Sequence, residues 1–167
     1  LTPCFDFVPI MGALAIDEDD ALYVGVSSCD AAARGIYRVA RSGAVRLLAQ
    51  VPTTSAPNGI AIHEDSLLVA DTGRQVILRV PRRGGAATIW ADDPLLKKDP
   101  TAPAIFPGPN GAQIFDDELY VSVSGGFRIV AIPIRRGGAA GPVRVHATGV
   151  GCDDFAFDVR GDLRSEE

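Results

Sequence analysis

The sequence predicts an all-β protein, a partial β-propeller built of four-stranded antiparallel blades, and three observations lead there. The first is a recurring phrase. Pro57-Asn58-Gly59-Ile60-Ala61-Ile62 returns as Pro109-Asn110-Gly111-Ala112-Gln113-Ile114, with a weaker copy at Met11-Gly12-Ala13-Leu14-Ala15-Ile16 and a fourth beginning at Cys152-Asp153-Asp154-Phe155-Ala156-Phe157. Aligned on Gly12, Asn58, Asn110 and Asp153, the copies lie 46, 52 and 43 residues apart, and a period of this size marks a repeat architecture. The second is that each complete copy opens a set of four short apolar strands separated by Gly and charged turn residues, which is the make-up of a propeller blade. The third is that no helical period is sustained anywhere in the chain; Pro94 to Asp99 has room for one or two turns. A β-sandwich would accommodate the strands but leaves the recurrence of one phrase unexplained.

The elements follow in order. Leu1 to Ile10 is an apolar lead-in. Ala13 to Ile16 reads as a strand apolar on both faces, Asp17 to Asp20 as a turn, and Leu22 to Val26, Ile36 to Ala40 and Val45 to Ala49 as the remaining strands of the first repeat. A calcium loop at Asp17 to Asp20 lacks the alternating oxygens, central Gly and terminal Glu of that motif. In the second repeat the strands are Ile60 to Ile62, Leu67 to Ala70, Val76 to Val80 and Ala87 to Trp90. In the third they are Ala112 to Phe115, Leu119 to Val123, Arg128 to Ile134 and Val143 to Ala147. Val, Ile, Leu and Tyr fill the strands, as a pleated buried surface favours. The blades span roughly 11–50, 57–92 and 109–148, and the start of a fourth occupies 152–163, so about three blades plus one strand are present.

Three blades and a strand do not close a ring, because propellers carry typically four to eight blades. Two arrangements are open. Two copies complete each other as a homodimer, with Asp154 to Val159 crossing over as a closing strand, or the chain is a fragment of a longer one, which its ending just after Leu163 favours.

Composition narrows the class. The 167 residues are 47% hydrophobic, enough to build a core. A net charge of −5 argues against a nucleic-acid footprint, which needs a basic stripe. Arg82-Arg83 and Arg135-Arg136, each ahead of Gly-Gly, read as solvated hairpin residues. No apolar run approaches the roughly 20 residues of a membrane span, and no signal peptide is present, although a chain that starts at Leu1 is compatible with a removed leader. Secreted and cytoplasmic locations both remain open. Cys4, Cys29 and Cys152 cannot all pair within one chain and lack the spacing of a zinc site; one disulfide and buried thiols fit equally.

Pro57-Asn58-Gly59, Val69-Ala70-Asp71-Thr72-Gly73, Gly108-Pro109-Asn110-Gly111 and Asp153-Asp154-Phe155-Ala156-Phe157-Asp158 together resemble the SMP-30/gluconolactonase-like family of six-bladed propellers, over essentially the whole chain and about half of a family domain. The resemblance implies a hydrolase, calcium-dependent, acting on a lactone or related ester. The wider superfamily also holds organophosphate hydrolases, strictosidine-synthase-like enzymes and fungal members that guide pericyclic reactions. Two other classes therefore stay in view: a metal-free propeller whose asparagines bind an organic substrate and template a cyclisation, and a noncatalytic binding propeller of the NHL type.

An Asn or Asp at the mouth-side start of an innermost strand points its oxygen toward the propeller axis. Asn58, Asn110 and Asp153 are accordingly the candidate ligands for Ca2+ or another divalent metal, since calcium takes six to eight oxygens and accepts amide carbonyls. By resemblance these positions bind the metal or the substrate. Asp153 is the candidate base toward water, with Asp154 the neighbouring choice if the register slips by one. The family's first-blade Glu has no match, because Gly12 occupies that position. Against a role in binding, Asn-Gly is a favoured turn pair; the chain contains no other asparagine. His63 lies past the end of its strand, His146 lies in an outer strand, and Asp71 reads as a turn cap. The Pro-rich segment Pro94 to Pro109 crosses the mouth side, where Ile105 and Phe106 line a pocket for substrate, as a lid or as a rigid connection.

Overall fold

The computed structural model describes residues 10–103 and 105–165. The lead-in up to Pro9, with Cys4, lies outside the described residues. Three four-stranded antiparallel meanders follow one another. β1 (Ile10–Ile16), β2 (Leu22–Ser27), β3 (Gly35–Val39) and β4 (Val45–Ala49) form the first sheet, and β5 (Pro57–His63), β6 (Ser66–Asp71), β7 (Val76–Pro81) and β8 (Thr88–Ala91) the second. The third holds β9 (Pro109–Phe115), β10 (Glu118–Val123), β11 (Arg128–Pro133) and β12 (Arg144–Thr148). The fourth repeat supplies a hairpin, β13 (Phe155–Phe157) paired with β14 (Leu163–Ser165), one strand more than the sequence suggests. Asp158 closes it by accepting from the Arg160 and Asp162 amides, at 2.9 and 3.1 Å.

Alternation along each central strand explains why the sheets stack. Successive side chains of a strand point to opposite faces. In β6, Leu67 and Val69 pack with Val76, Leu78 and Val80 of β7 against Tyr23, Ile36 and Leu48 of the first sheet. Leu68 and Ala70 face the other way, joining Ile77 against Leu119, Val121 and Val130 of the third. Tyr120, Ile129 and Ala131 then meet Phe155 of the hairpin and Cys152 just before it. Every residue of β6 is buried, so its apolar run carries no polar alternation. Cys29 is disulfide-bonded and Cys152 is buried.

The inner strands β1, β5 and β9 lie side by side, with β13 next to β9. Their backbones approach so closely that a Cβ on Gly59 would sit 2.3 Å from the Asn110 carbonyl oxygen and 2.6 Å from the Ala112 nitrogen. The glycine is there for this approach, in extended backbone inside β5, and Gly111 inside β9 meets the fourth repeat in the same way. The Asn-Gly pairs are thus strand residues and do not form turns. The turns come later, at Glu64 and at Asp116-Asp117, which take positive φ as tight hairpins require.

Arg82 corrects the reading of the paired arginines as solvated. Its Nη2 lies 2.8 Å from Asp17 Oδ2 and its Nε donates to the Tyr23 hydroxyl at 3.0 Å, tying the second sheet to the first. Tyr23 donates to Asp17 Oδ2 at 3.0 Å, and the Asp19 and Ala21 amides donate to Oδ1. Burial pushes the Asp17 carboxyl up, but the Ala21 amide, Arg82, Tyr23 and the Asp19 amide outweigh it and hold the pKa at about 2. The Tyr23 hydroxyl, ahead of Asp17, raises that of Arg82. At the seam between the second and third sheets, Arg79 Nη1 and Trp90 Nε1 both donate to the Gly138 carbonyl, at 3.4 and 2.7 Å.

Two outcomes follow from this packing. Gly59→Ala places a methyl against backbone that cannot yield, and chemical denaturation should show a loss of about 3 kcal/mol; a change within about 0.5 kcal/mol would refute the close-approach account. Because the folded pKa of Asp17 lies below its ordinary 3.8, its contribution is present above that value and lost as pH falls through about 2. Wild type should therefore lose about 2 kcal/mol from this group between about pH 5 and about pH 2. Asp17→Asn should be less stable at the upper pH and show a correspondingly shallower fall, and equal slopes for the two proteins would contradict the assignment.

Candidate functional site

Each inner strand of the second and third sheets slips register at the recurring phrase. Pro57 pairs with Asp71 and Ile60 with Val69, so Asn58 and Gly59 together oppose one residue of β6. In β9, Asn110 and Gly111 likewise oppose Ser122 alone, between Val121 paired with Ala112 and Val123 paired with Pro109. β1 shifts between Met11 and Ala13, at Gly12. A bulge of this kind re-aims a side chain out of the ladder. Here it delivers the aligned positions to one place: Gly12, Asn58, Asn110 and Asp153 all line a cavity of about 350 Å³ on the inner strands, together with Asp154 and Gln113.

A repeated hydrogen-bond relay holds the two amides. Asn110 Nδ2 donates to Ser124 Oγ at 3.0 Å, and Ser124 Oγ donates at 2.8 Å to the carbonyl of Cys152, the residue before Asp153. Asn58 Nδ2 approaches Thr72 Oγ1 at 3.5 Å, and Thr72 Oγ1 donates to the carbonyl of Pro109, the residue before Asn110. In both repeats the hydroxyl stands fourteen residues after the asparagine and bonds to the next blade. Since each hydroxyl proton is committed to a carbonyl, its oxygen must accept, which turns the amide NH2 toward it. Asn110 Nδ2 spends its second proton on Asp153 Oδ1.

This orientation leaves the amide oxygen outward. Asn110 is 3% exposed, and its Oδ1 makes no hydrogen bond among the described residues. Every fully buried side-chain nitrogen or oxygen among them has a partner, so Oδ1 faces the open cavity. The Asn58 Oδ1 and Asp153 Oδ2 are also without partners among the described residues. Asp153 and Asp154 are exposed at the rim, and Asp154 Oδ1 accepts from the Phe155 amide at 2.9 Å. The cavity thus presents the Asn58 and Asn110 amide oxygens together with the Asp153 and Asp154 carboxylates. Such hard oxygens suit calcium in kind, but they fall short of its six to eight, and water or further oxygens would have to supply the rest. Among the described residues no three His, Cys, Asp or Glu side chains gather to hold a metal.

The other candidates lie apart. Phe106 lines a second cavity and packs on Phe127, with ring centroids 5.6 Å apart. His63 is the last residue of β5 rather than beyond it, and pairs with Ser66. His146 is on the outer strand β12 with its ring edge-on to Tyr120, whose phenol is pushed up by burial and by Glu118. Asp71 caps its turn, accepting from Ser55 Oγ at 2.6 Å and from the Ala56 and Arg74 amides. Asp17, in the acidic turn of the first repeat, is taken up by Arg82 and Tyr23. Sequence reasoning missed Thr72 and Ser124, although the equal spacing from each asparagine is a signal within the repeat. Leu14, Ile16, Ile60, Ile62 and Ile114, together with Gln113, line a further cavity of about 420 Å³ on the inner strands.

No protein-family profile and no curated protein sequence matches the chain. Solved structures do. Regucalcin from Agrobacterium tumefaciens str. C58, a calcium-binding protein, is 19% identical with a TM-score of 0.63, over 93% of this chain and 52% of its own. Virginiamycin B lyase from Staphylococcus aureus, in a catalytically inactive form with quinupristin, is 13% identical with a TM-score of 0.67, over 95% of this chain and 49% of its own. A nidogen/laminin complex matches at 17% identity and a TM-score of 0.67, over 91% of this chain and 54% of that one. The chain spans about half the length of these structures, and at such identities the likeness concerns the fold: it is that of a partial β-propeller.

Proposed function

We propose that the chain carries the axial site of a gluconolactonase-like propeller hydrolase, acting with calcium on a lactone or related ester. The observation that supports this is the convergence of the Asn58 and Asn110 amide oxygens and the Asp153 carboxylate on one cavity at the inner strands. Asn58, Asn110 and Asp153 would hold the ion, which when bound supplies a Lewis acid toward the ester carbonyl. Asp153 Oδ1 accepts from Asn110, which leaves Oδ2 to take a proton from an attacking water. Thr72 and Ser124 position the amides without touching substrate. Further blades, from a second copy or from a longer chain, would complete the oxygen set and close the ring.

A second reading is favoured by one feature. The Asn110 to Asp153 bond already occupies a carboxylate oxygen, and an organic substrate with hydrogen-bond donors would meet the same outward oxygens with no metal. Calcium titration calorimetry separates the two. The hydrolase reading expects saturable binding that Asn110→Ala weakens about tenfold or more, equivalent to about 1.4 kcal/mol, and then turnover in a lactone screen. No heat from folded protein would overturn it in favour of the metal-free reading.

A further inference from the structure

The second cavity, of about 330 Å³, lies beside the axial site and is built by different elements. Its floor is the β6–β7 turn, with Thr72 and Gln75, and its roof is the connector between β8 and β9, with Lys98, Ile105, Phe106 and Pro107. All of these belong to the second repeat and its connector, so the cavity needs no further blade to form its walls. Thr72 stands between the two sites, its hydroxyl in the relay of the axial one.

The connector is tied down on both sides of its tip. Asp93 caps the 3-10 turn Pro94–Leu96 and Leu96 is fully buried beneath it. Arg128 donates to the carbonyls of Leu95 and Lys97, the Asp99 amide to the Gly125 carbonyl at 2.8 Å, and the Gly125 amide to the Pro107 carbonyl at 2.6 Å. Gln75, at a φ of 56°, is held in that uncommon backbone conformation by the connector. Its Oε1 accepts from the Lys98 amide at 2.8 Å and its carbonyl from Lys97 Nζ at 2.7 Å.

The two adjacent lysines are treated differently. Lys97 spends its ammonium on Gln75 and Asp92. Lys98 lines the cavity half-buried, and its ammonium makes no ion pair or hydrogen bond among the described residues. Gln75 Nε2 is a second donor without an acceptor there, because the amide is oriented by its oxygen. Opposite these donors stand Ile105, 83% exposed, with Phe106 and Pro107. An oriented pair of donors, one of them charged, beside an apolar wall matches a carboxylate carried on an aliphatic chain.

We propose that this cavity is a binding site for a small amphipathic carboxylic acid, with Lys98 and Gln75 donating to the carboxylate and Ile105, Phe106 and Pro107 covering the chain. It stands independently of the axial site. The test is an octanoate titration of the whole chain followed by backbone amide NMR shifts, with octanol and acetate as comparison probes. Octanoate should shift Thr72, Gln75, Lys98 and Phe106 saturably, and octanol and acetate should each bind about tenfold more weakly. Lys98→Met, which keeps the aliphatic stem over Gly125, should weaken octanoate about tenfold and leave octanol unchanged, while Lys98→Arg retains octanoate. Asn110→Ala should leave octanoate binding intact, so a failed calcium site and a failed acid site give different results. Octanol binding as tightly as octanoate, an unaltered Lys98→Met, or shifts gathered on Asn58 and Asn110 instead would each overturn the proposal.

Discussion

The inner surface of this propeller depends on one repeated hydrogen bond path, from an asparagine amide to a hydroxyl just past the end of the neighbouring strand to a carbonyl of the next blade. Asn110, Ser124 and Cys152 form one copy and Asn58, Thr72 and Pro109 the other. It satisfies a carbonyl at the seam between blades that would otherwise be costly to bury. It also decides which end of each amide meets the axis. The same path therefore joins the blades and points an acceptor into the cavity. The first repeat, with Gly12 and Val26 at the two equivalent positions, has neither end of it.

The rest of the fold places that path. Apolar residues on both faces of β6, β7, β10 and β11 stack the sheets, and this non-directional attraction sets their spacing but not their register. Register comes from the close glycine contacts of the inner strands and from directional bonds farther out, where Arg82 reaches Asp17 and Tyr23 across the seam. The bulge at each Asn-Gly pair is the local cost of turning the amide inward. Asp153, at the aligned position of the fourth repeat, receives its hydrogen bond from the blade before it.

Much of this was legible because a repeat displays its own constraints. The recurrence of Pro-Asn-Gly at blade spacing carried the blade count, the strand order and the convergence of three side chains on one cavity. The strand placement of the Asn-Gly pairs was not legible, since the dipeptide has the same composition in a hairpin turn and in a bulge, and only the neighbouring backbone shows why glycine is needed. Arg82 reads as a turn residue because its partner, Asp17, lies sixty-five residues away in another blade. Ile105 and Phe106 line a pocket under the Pro-rich connector, as its composition suggests, but its separation from the axial cavity by Thr72 is visible only in the folded chain. Thr72 and Ser124 escaped because each directly follows its strand, where hydroxyls are ordinary turn residues, and their equal spacing from the asparagines does not by itself show the next-blade carbonyl that each one bonds.

The account is tested most directly by its two asparagines, the only ones in the chain. Labelling with 15N-asparagine gives two side-chain amide signals with no overlap from others, and their hydrogen exchange and response to calcium can be followed by NMR. The relay predicts slowed exchange at Nδ2 of Asn110, weaker slowing at Asn58 with its longer bond, and shifts of both on adding calcium while exchange stays slow. Two rapidly exchanging amides with the averaged shifts of a solvated turn, insensitive to the ion, would contradict both the relay and the site built on it.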